Sequence, residues 1–254
     1  MMRLVDIGKA ASGRKIRRDD WDELGLSTLV KIDEALDEGR TEEARELAKY
    51  TITESKGLHD LMCDWVWDLL TQIANRHGED DMVTMLQGSQ ETWMMQRTWK
   101  GYLRMSVEER VHLTAEILRS HRCGPKQDGE LEIRDMGDHY RIGMDPCGSG
   151  GRMRRGDVVD GTPSRLGPPY NFGRTQTARP ESWSKKDVPY YCLHCTQNEI
   201  LPMKWGGHPL WVTDYQDDAA KPCAWLFYKK AAGIPEEYYT RVGASKPRDG
   251  EGQY

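Results

Sequence analysis

Leu131-Glu132-Ile133-Arg134-Asp135-Met136-Gly137-Asp138-His139-Tyr140-Arg141-Ile142-Gly143-Met144 is the stretch on which the fold class turns. Leu131 and Ile133, then Tyr140, Ile142 and Met144, alternate with polar residues, the period of two that half-buried strands show. Gly137-Asp138 between the two runs supplies a turn, so the segment predicts a β-hairpin. The residues before it repeat at three and four instead. The expected fold is therefore α+β: an N-terminal helical bundle packed on a C-terminal mixed β domain, the latter carrying a cysteine-rich zinc site.

Working back from the hairpin, Cys123-Gly124-Pro125 closes a helical half that begins near residue 27, because proline cannot continue a helix. Ser27 is a helix cap and Gly39 a stop. Thr41-Glu42-Glu43 suits a second N-terminus, where carboxylates meet the positive end of the helix dipole. Leu58, Leu61, Met62, Trp65, Leu69 and Ile73 form an apolar stripe that is assigned to the core, and Gly78 ends it. Met82, Met85, Leu86, Trp93 and Leu103 continue a second stripe. Ser106-Val107-Glu108-Glu109 reads as a capping box, followed by an inner face of Val111, Ala115 and Leu118.

Working forward, residues 148–186 are rich in Gly, Pro, Ser, Thr and Arg and predict a long irregular connection, a length usually tied to function or mobility. Strands are expected at Tyr190-Tyr191, Leu210-Trp211-Val212 and Trp225-Leu226-Phe227-Tyr228, and a short helix at Pro235-Glu236-Glu237-Tyr238-Tyr239. The chain divides into a flexible basic arm (1–20), a helical domain (21–124), a β-rich metal-binding domain (130–245) and a frayed tail (246–254).

Charged residues make up 30% of the sequence and no apolar run approaches the length of a spanning helix, so a membrane role is not expected. A net charge of −5 argues against nucleic acid as partner, since phosphate binding needs basic surface. The first eight residues lack the apolar stretch of a secretory signal, and a cytoplasmic location is the expectation. Six cysteines in that setting favour thiols or metal ligands over disulfides.

Cys192-Leu193-His194-Cys195 is a C-x-x-C pair, a spacing that lets two thiolates reach one ion. Cys147, in Asp145-Pro146-Cys147-Gly148-Ser149-Gly150-Gly151, and Cys223, after Pro222, also fall at turns or strand ends. Cys147, Cys192, Cys195 and Cys223 are the expected metal ligands. Zinc is the first expectation, and iron is the alternative that also accepts four thiolates. Four thiolates close a tetrahedral zinc site and leave no place for water.

His194, inside the pair, is the candidate for proton transfer, with His139 and Asp145 near Cys147 as further acid–base candidates. Arg152, after the Gly148–Gly151 turn, is a candidate for an anionic group. His112 and Glu116, one helical turn apart, and Trp211 and Trp225 complete the expected substrate-binding set. Nine tryptophans suit a wall for an aromatic or apolar ligand.

Three function classes follow. The first is a zinc-dependent hydrolase or lyase acting on a small organic acid or aromatic compound. The second is a small-molecule-binding or regulatory protein with a purely structural four-cysteine site. The third is a thiol redox protein using Cys192 and Cys195. A homo-oligomer is compatible with all three.

Overall fold

The computed structural model describes residues 2–6, 15–92, 96–248 and 252. Trp93, part of residues 1–20 and part of the tail lie outside these. The chain forms two compact units, one drawn from residues 1–62 and 157–162, the other from 63–156 and 163–254.

In the first unit, strands β1 (Leu4–Asp6) and β2 (Lys15–Arg17) pair antiparallel, with Leu4 opposite Arg17. The basic segment thus carries a two-stranded ribbon. Arg17 ties it down: its backbone N–H donates to the Tyr50 hydroxyl at 2.7 Å and its Nη1 to Thr28 Oγ1 at 2.8 Å. Helix α1 (Thr28–Asp37) starts where expected, Ser27 Oγ accepting from the Val30 N–H. Ala35, Ala44 and Leu47 form a small core. Lys56 is buried with its ammonium 2.7 Å from Asp60, 2.6 Å from Asp157 and 2.5 Å from Asp160.

Helix α2 (Thr41–His77) is one continuous element of 37 residues, and it corrects the sequence reading. The stripe assigned to the core lies outward: Leu58, Leu61 and Trp65 are each more than 60% exposed. The buried face is the neighbouring one, carrying Cys63, Trp67 and Leu70. The reason is a partner distant in sequence. The Trp67 indole N–H donates to the Gly173 carbonyl at 2.7 Å and its ring meets Phe172, so a buried tryptophan has its polar edge satisfied. Trp65 lacks that setting.

The second unit is built on a four-stranded antiparallel sheet in the order β3-β4-β6-β5. The hairpin is present as β3 (Glu132–Asp135) and β4 (His139–Met144), with Ile133 opposite Ile142. Strand β6 (Cys223–Tyr228) is central, and β5 (Val212–Asp214) is the other edge. Side chains alternate along β6. Ala224, Leu226 and Tyr228 enter one core with Trp67, Leu193 and Met203, while Trp225 and Phe227 enter another with Val111, Leu118 and Ile142. Helix α3 (Glu79–Gln90) supplies Met82, Val83 and Leu86 to the first core. Between α3 and the sheet in sequence lie α4 (Gln96–Tyr102) and α5 (Val107–Ser120), whose N-terminus has the expected capping box between Ser106 and Glu109.

Two strand expectations fail. Tyr190–Cys192 is a 3-10 turn that runs into helix α7 (Leu193–Gly206), and the strand near Leu210 begins only at Val212. Nearly every side of α7 is buried, including Thr196, Gln197, Asn198 and Glu199. Such a helix has no polar face, so its period is invisible in the sequence. The 148–186 connection contains the short helix α6 (Gly150–Arg155), and helix α8 (Glu237–Thr240) follows the expected start at Pro235.

Candidate metal and ligand site

The cysteines reach one place from three segments. Cys147 follows the end of β4, and Cys223 opens β6 directly opposite Met144 of β4. Cys192 closes the 3-10 turn, and Cys195 lies in the first turn of α7. Cys195 and Cys223 pack against both hydrophobic cores, which meet at this point. All four line a cavity of about 50 Å³ together with Cys123, Met144, Arg154, His194, Tyr215 and others, and all six pairs among the four interact electrostatically.

Glycine makes the convergence sterically feasible. A Cβ on Gly148 would stand 1.4 Å from the His121 carbonyl oxygen, so the loop that delivers Cys147 can dock on the end of α5 only without a side chain there. A Cβ on Gly150 would stand 2.6 Å from Cys192 Sγ.

Donors face the sulfurs. The Gly151 N–H donates to Cys147 Sγ at 2.8 Å. Arg154, buried and held by the Tyr215 hydroxyl at 2.8 Å and the Gln216 carbonyl at 2.6 Å, places Nη2 3.9 Å from Cys223 Sγ. Burial pushes the thiols of Cys192 and Cys195 well up, with the neighbouring sulfurs adding to it, and Cys223 up to about 11 for the same reasons. This is the reverse of a reactive, low-pKa, accessible cysteine.

The sulfurs do not crowd onto one point. Among the described residues, the only group of three or more His, Cys, Asp or Glu ligand atoms within 4.8 Å of one another is Asp60, Asp157 and Asp160, and those carboxylates already surround the Lys56 ammonium. Four thiolates on one zinc stand about 3.8 Å apart, from bonds of about 2.3 Å in a tetrahedron. The spacing expected for a single zinc is therefore not found.

Beside the cage lies a cavity of about 490 Å³. Leu118, His121, His194 and Trp225 line both spaces. The larger one is walled by Val66, Leu70, Leu86, Ile117 and the aromatic rings of Tyr102, Tyr191, Trp211 and Trp225. Among the described residues, no Lys, Arg, Asp or Glu lines it. Four of its buried lining residues carry polar atoms without a hydrogen-bond partner among the described residues: Gln90 Oε1, Thr114 Oγ1, Asn198 Oδ1 and Trp211 Nε1. A buried polar atom left unpaired costs about 1–3 kcal/mol, and these four belong to residues that line one largely apolar space.

No protein-family model, curated protein or solved structure matches the chain. The geometry alone therefore carries the functional reading.

The expected site residues separate into two groups. Trp211 and Trp225 stack on each other at 5.1 Å and line the larger cavity. His194 lies at the shared wall, its Nδ1 facing the Tyr191 carbonyl and its Nε2 3.4 Å from Cys195 Sγ; burial lowers its pKa, so the ring is neutral.

The others are elsewhere. His139 sits at the opposite end of β4 from Cys147, paired with Asp138 at 2.7 Å and packed on Tyr228. Asp145 is exposed and bound to Arg155 at 2.8 Å. Arg152 is buried and donates to the Gly148 carbonyl, so it braces the cysteine loop and lines neither cavity. His112 and Glu116 are exposed on the outer face of α5, one residue beyond Val111 and Ala115, which face inward.

Gln90, Thr114 and Asn198 were not foreseen. Two left a signal: Thr114 lies between Val111 and Leu118 on an apolar face, and Gln90 follows Leu86 by one turn. Asn198 follows His194 by one turn of a helix that the sequence does not announce.

Proposed function

We propose that this protein binds a neutral, largely aromatic small molecule in the 490 Å³ cavity, and that the four-cysteine cage is a metal centre supporting one wall of that cavity. The observation that carries the reading is the wall itself: Leu118, His121, His194 and Trp225 touch both spaces. Filling the cage fixes residues that the ligand meets. The ligand's chemistry follows from the lining. Tyr102, Tyr191, Trp211 and Trp225 suit an aromatic body. Gln90, Thr114, Asn198 and Trp211 in the same wall offer donors and acceptors to a compound with one or two polar groups. Among the described residues of the lining a carboxylate meets no lysine or arginine, which favours a neutral compound over an organic acid.

Binding rather than turnover is the better-supported activity, because the four cysteines are committed to the metal centre and the larger cavity is lined mainly by apolar and aromatic side chains. A metal-dependent hydrolase or lyase remains the second reading, favoured by His194 at the shared wall. Thiol redox exchange through Cys192 and Cys195 has the least support, because Cys192 is buried and both sulfurs line the cage with Cys147 and Cys223.

The test is a fluorescence and calorimetric titration of the metal-loaded protein with indole, phenol and benzoate. Saturable binding of a neutral probe, at least tenfold tighter than benzoate, is expected. Ser89 and Ile117 are exposed residues at the cavity's edge, so a Ser89→Trp, Ile117→Trp double variant with unchanged circular dichroism should lose that binding. No saturable binding of either neutral probe, or equal binding by the blocked variant, overturns the proposal.

A further inference from the structure

The cage was read above as a metal centre, and its dimensions say more about the occupant. We infer that Cys147, Cys192, Cys195 and Cys223 hold a cubane iron–sulfur cluster of four irons and four sulfides, each thiolate on a different iron. This rests on the reading of the cage as a metal site and not on the ligand cavity.

Spacing is the first argument. The four sulfurs surround one space, yet no three are within 4.8 Å of one another, so they are not gathered at the roughly 3.8 Å spacing of one tetrahedral ion. When each thiolate binds its own iron at a corner of a cubane, the sulfurs stand farther apart than around a single ion. Room is the second. The space among the four sulfurs is about 50 Å³, several times the roughly 10–15 Å³ that one water needs.

The surroundings are the third. Clusters are tuned by hydrogen bonds to their sulfurs and by exclusion of water. The Gly151 N–H reaches Cys147 Sγ at 2.8 Å, and the Arg154 guanidinium lies 3.9 Å from Cys223 Sγ. Cubane and four thiolates carry a net negative charge, and Arg154 is the buried cation beside it, with its Nε still unpartnered among the described residues. Tyr215, Trp183 and Trp225 enclose the site with ring surface.

The ligand set is specific. Cys123 also lines the cavity, but among the cysteines it interacts with Cys147 alone, and its sulfur accepts the Gly148 N–H at 3.3 Å. Cys63 is outside the cavity, 3.2 Å from the Tyr191 hydroxyl.

The full chain, purified without oxygen and reconstituted with ferrous iron and sulfide, provides the test. About four irons and four acid-labile sulfides per chain are expected, with a broad absorption near about 400 nm that bleaches when dithionite supplies one electron. The reduced form should give an electron paramagnetic resonance signal. Cys147→Ser, Cys192→Ser, Cys195→Ser and Cys223→Ser should each remove most of the absorption, while Cys63→Ser and Cys123→Ser retain it and show that loss is not a general folding defect. One zinc or one iron per chain with no sulfide overturns the cluster and keeps a metal centre. Failure to take up any metal overturns both. Retention of the full cluster by the four ligand variants overturns the assignment of ligands.

Discussion

Gly150 and Cys192 are so close that a single methyl group on the glycine would lie 2.6 Å from the cysteine sulfur. A carbon and a sulfur in ordinary contact need roughly an ångström more, so the loop after Cys147 and the turn before α7 fit only because position 150 has no side chain. Gly150→Ala is expected to push Cys192 Sγ out of the cage and lower bound metal per chain severalfold, with helix content unchanged. Elemental analysis beside far-ultraviolet circular dichroism checks it; full metal content in the variant would refute the packing argument.

Thr114 is almost wholly buried, and its hydroxyl has no partner among the described residues. Thr114→Val removes that unpaired oxygen at nearly constant volume. The variant should be more stable by about 1 kcal/mol and should bind the cavity's ligand several times more weakly. Urea unfolding and the indole or phenol titration read the two effects, and a variant that is less stable and binds as before would contradict the role given to this residue.

Glu199 is fully buried and accepts hydrogen bonds from Trp183 Nε1 at 3.0 Å, the Thr213 N–H at 2.7 Å and Arg241 Nη2 at 2.7 Å. Burial raises its pKa, against the opposing pull of Arg241. For an acid raised in the folded state, the stability it contributes is complete below the unfolded value of about 4.3 and declines as pH climbs through the folded value. The stability of the native protein relative to Glu199→Gln should therefore fall as pH is raised from about 4. A difference that grows with pH would mean that Arg241 outweighs burial.

Lys56 takes the place that a cation would occupy among Asp60, Asp157 and Asp160. Lys56→Ala leaves those carboxylates facing one another and should cost about 3–5 kcal/mol. Millimolar calcium should restore part of the loss in the variant and leave the native protein's melting temperature unchanged. Equal calcium effects on both would show that the lysine does not fill the site.

Much of this architecture can be traced to short-range patterns. The hairpin at 132–144, the Ser106 cap and the strand from Cys223 follow from alternation and turn chemistry, and these determine α+β. The cysteine placement likewise points to four of the five cysteines that line one cavity. Long-range packing decided the rest. It chose Trp67 over Trp65 on α2 because a carbonyl awaits one indole and not the other. It buried α7 on nearly all sides, which erases the period that would reveal a helix. It also turned His139, Asp145, Arg152, His112 and Glu116 away from the cage and left the sulfurs wider than the spacing around one tetrahedral ion, because distances between segments separated by dozens of residues are fixed by the cores they share and are not written in any local spacing.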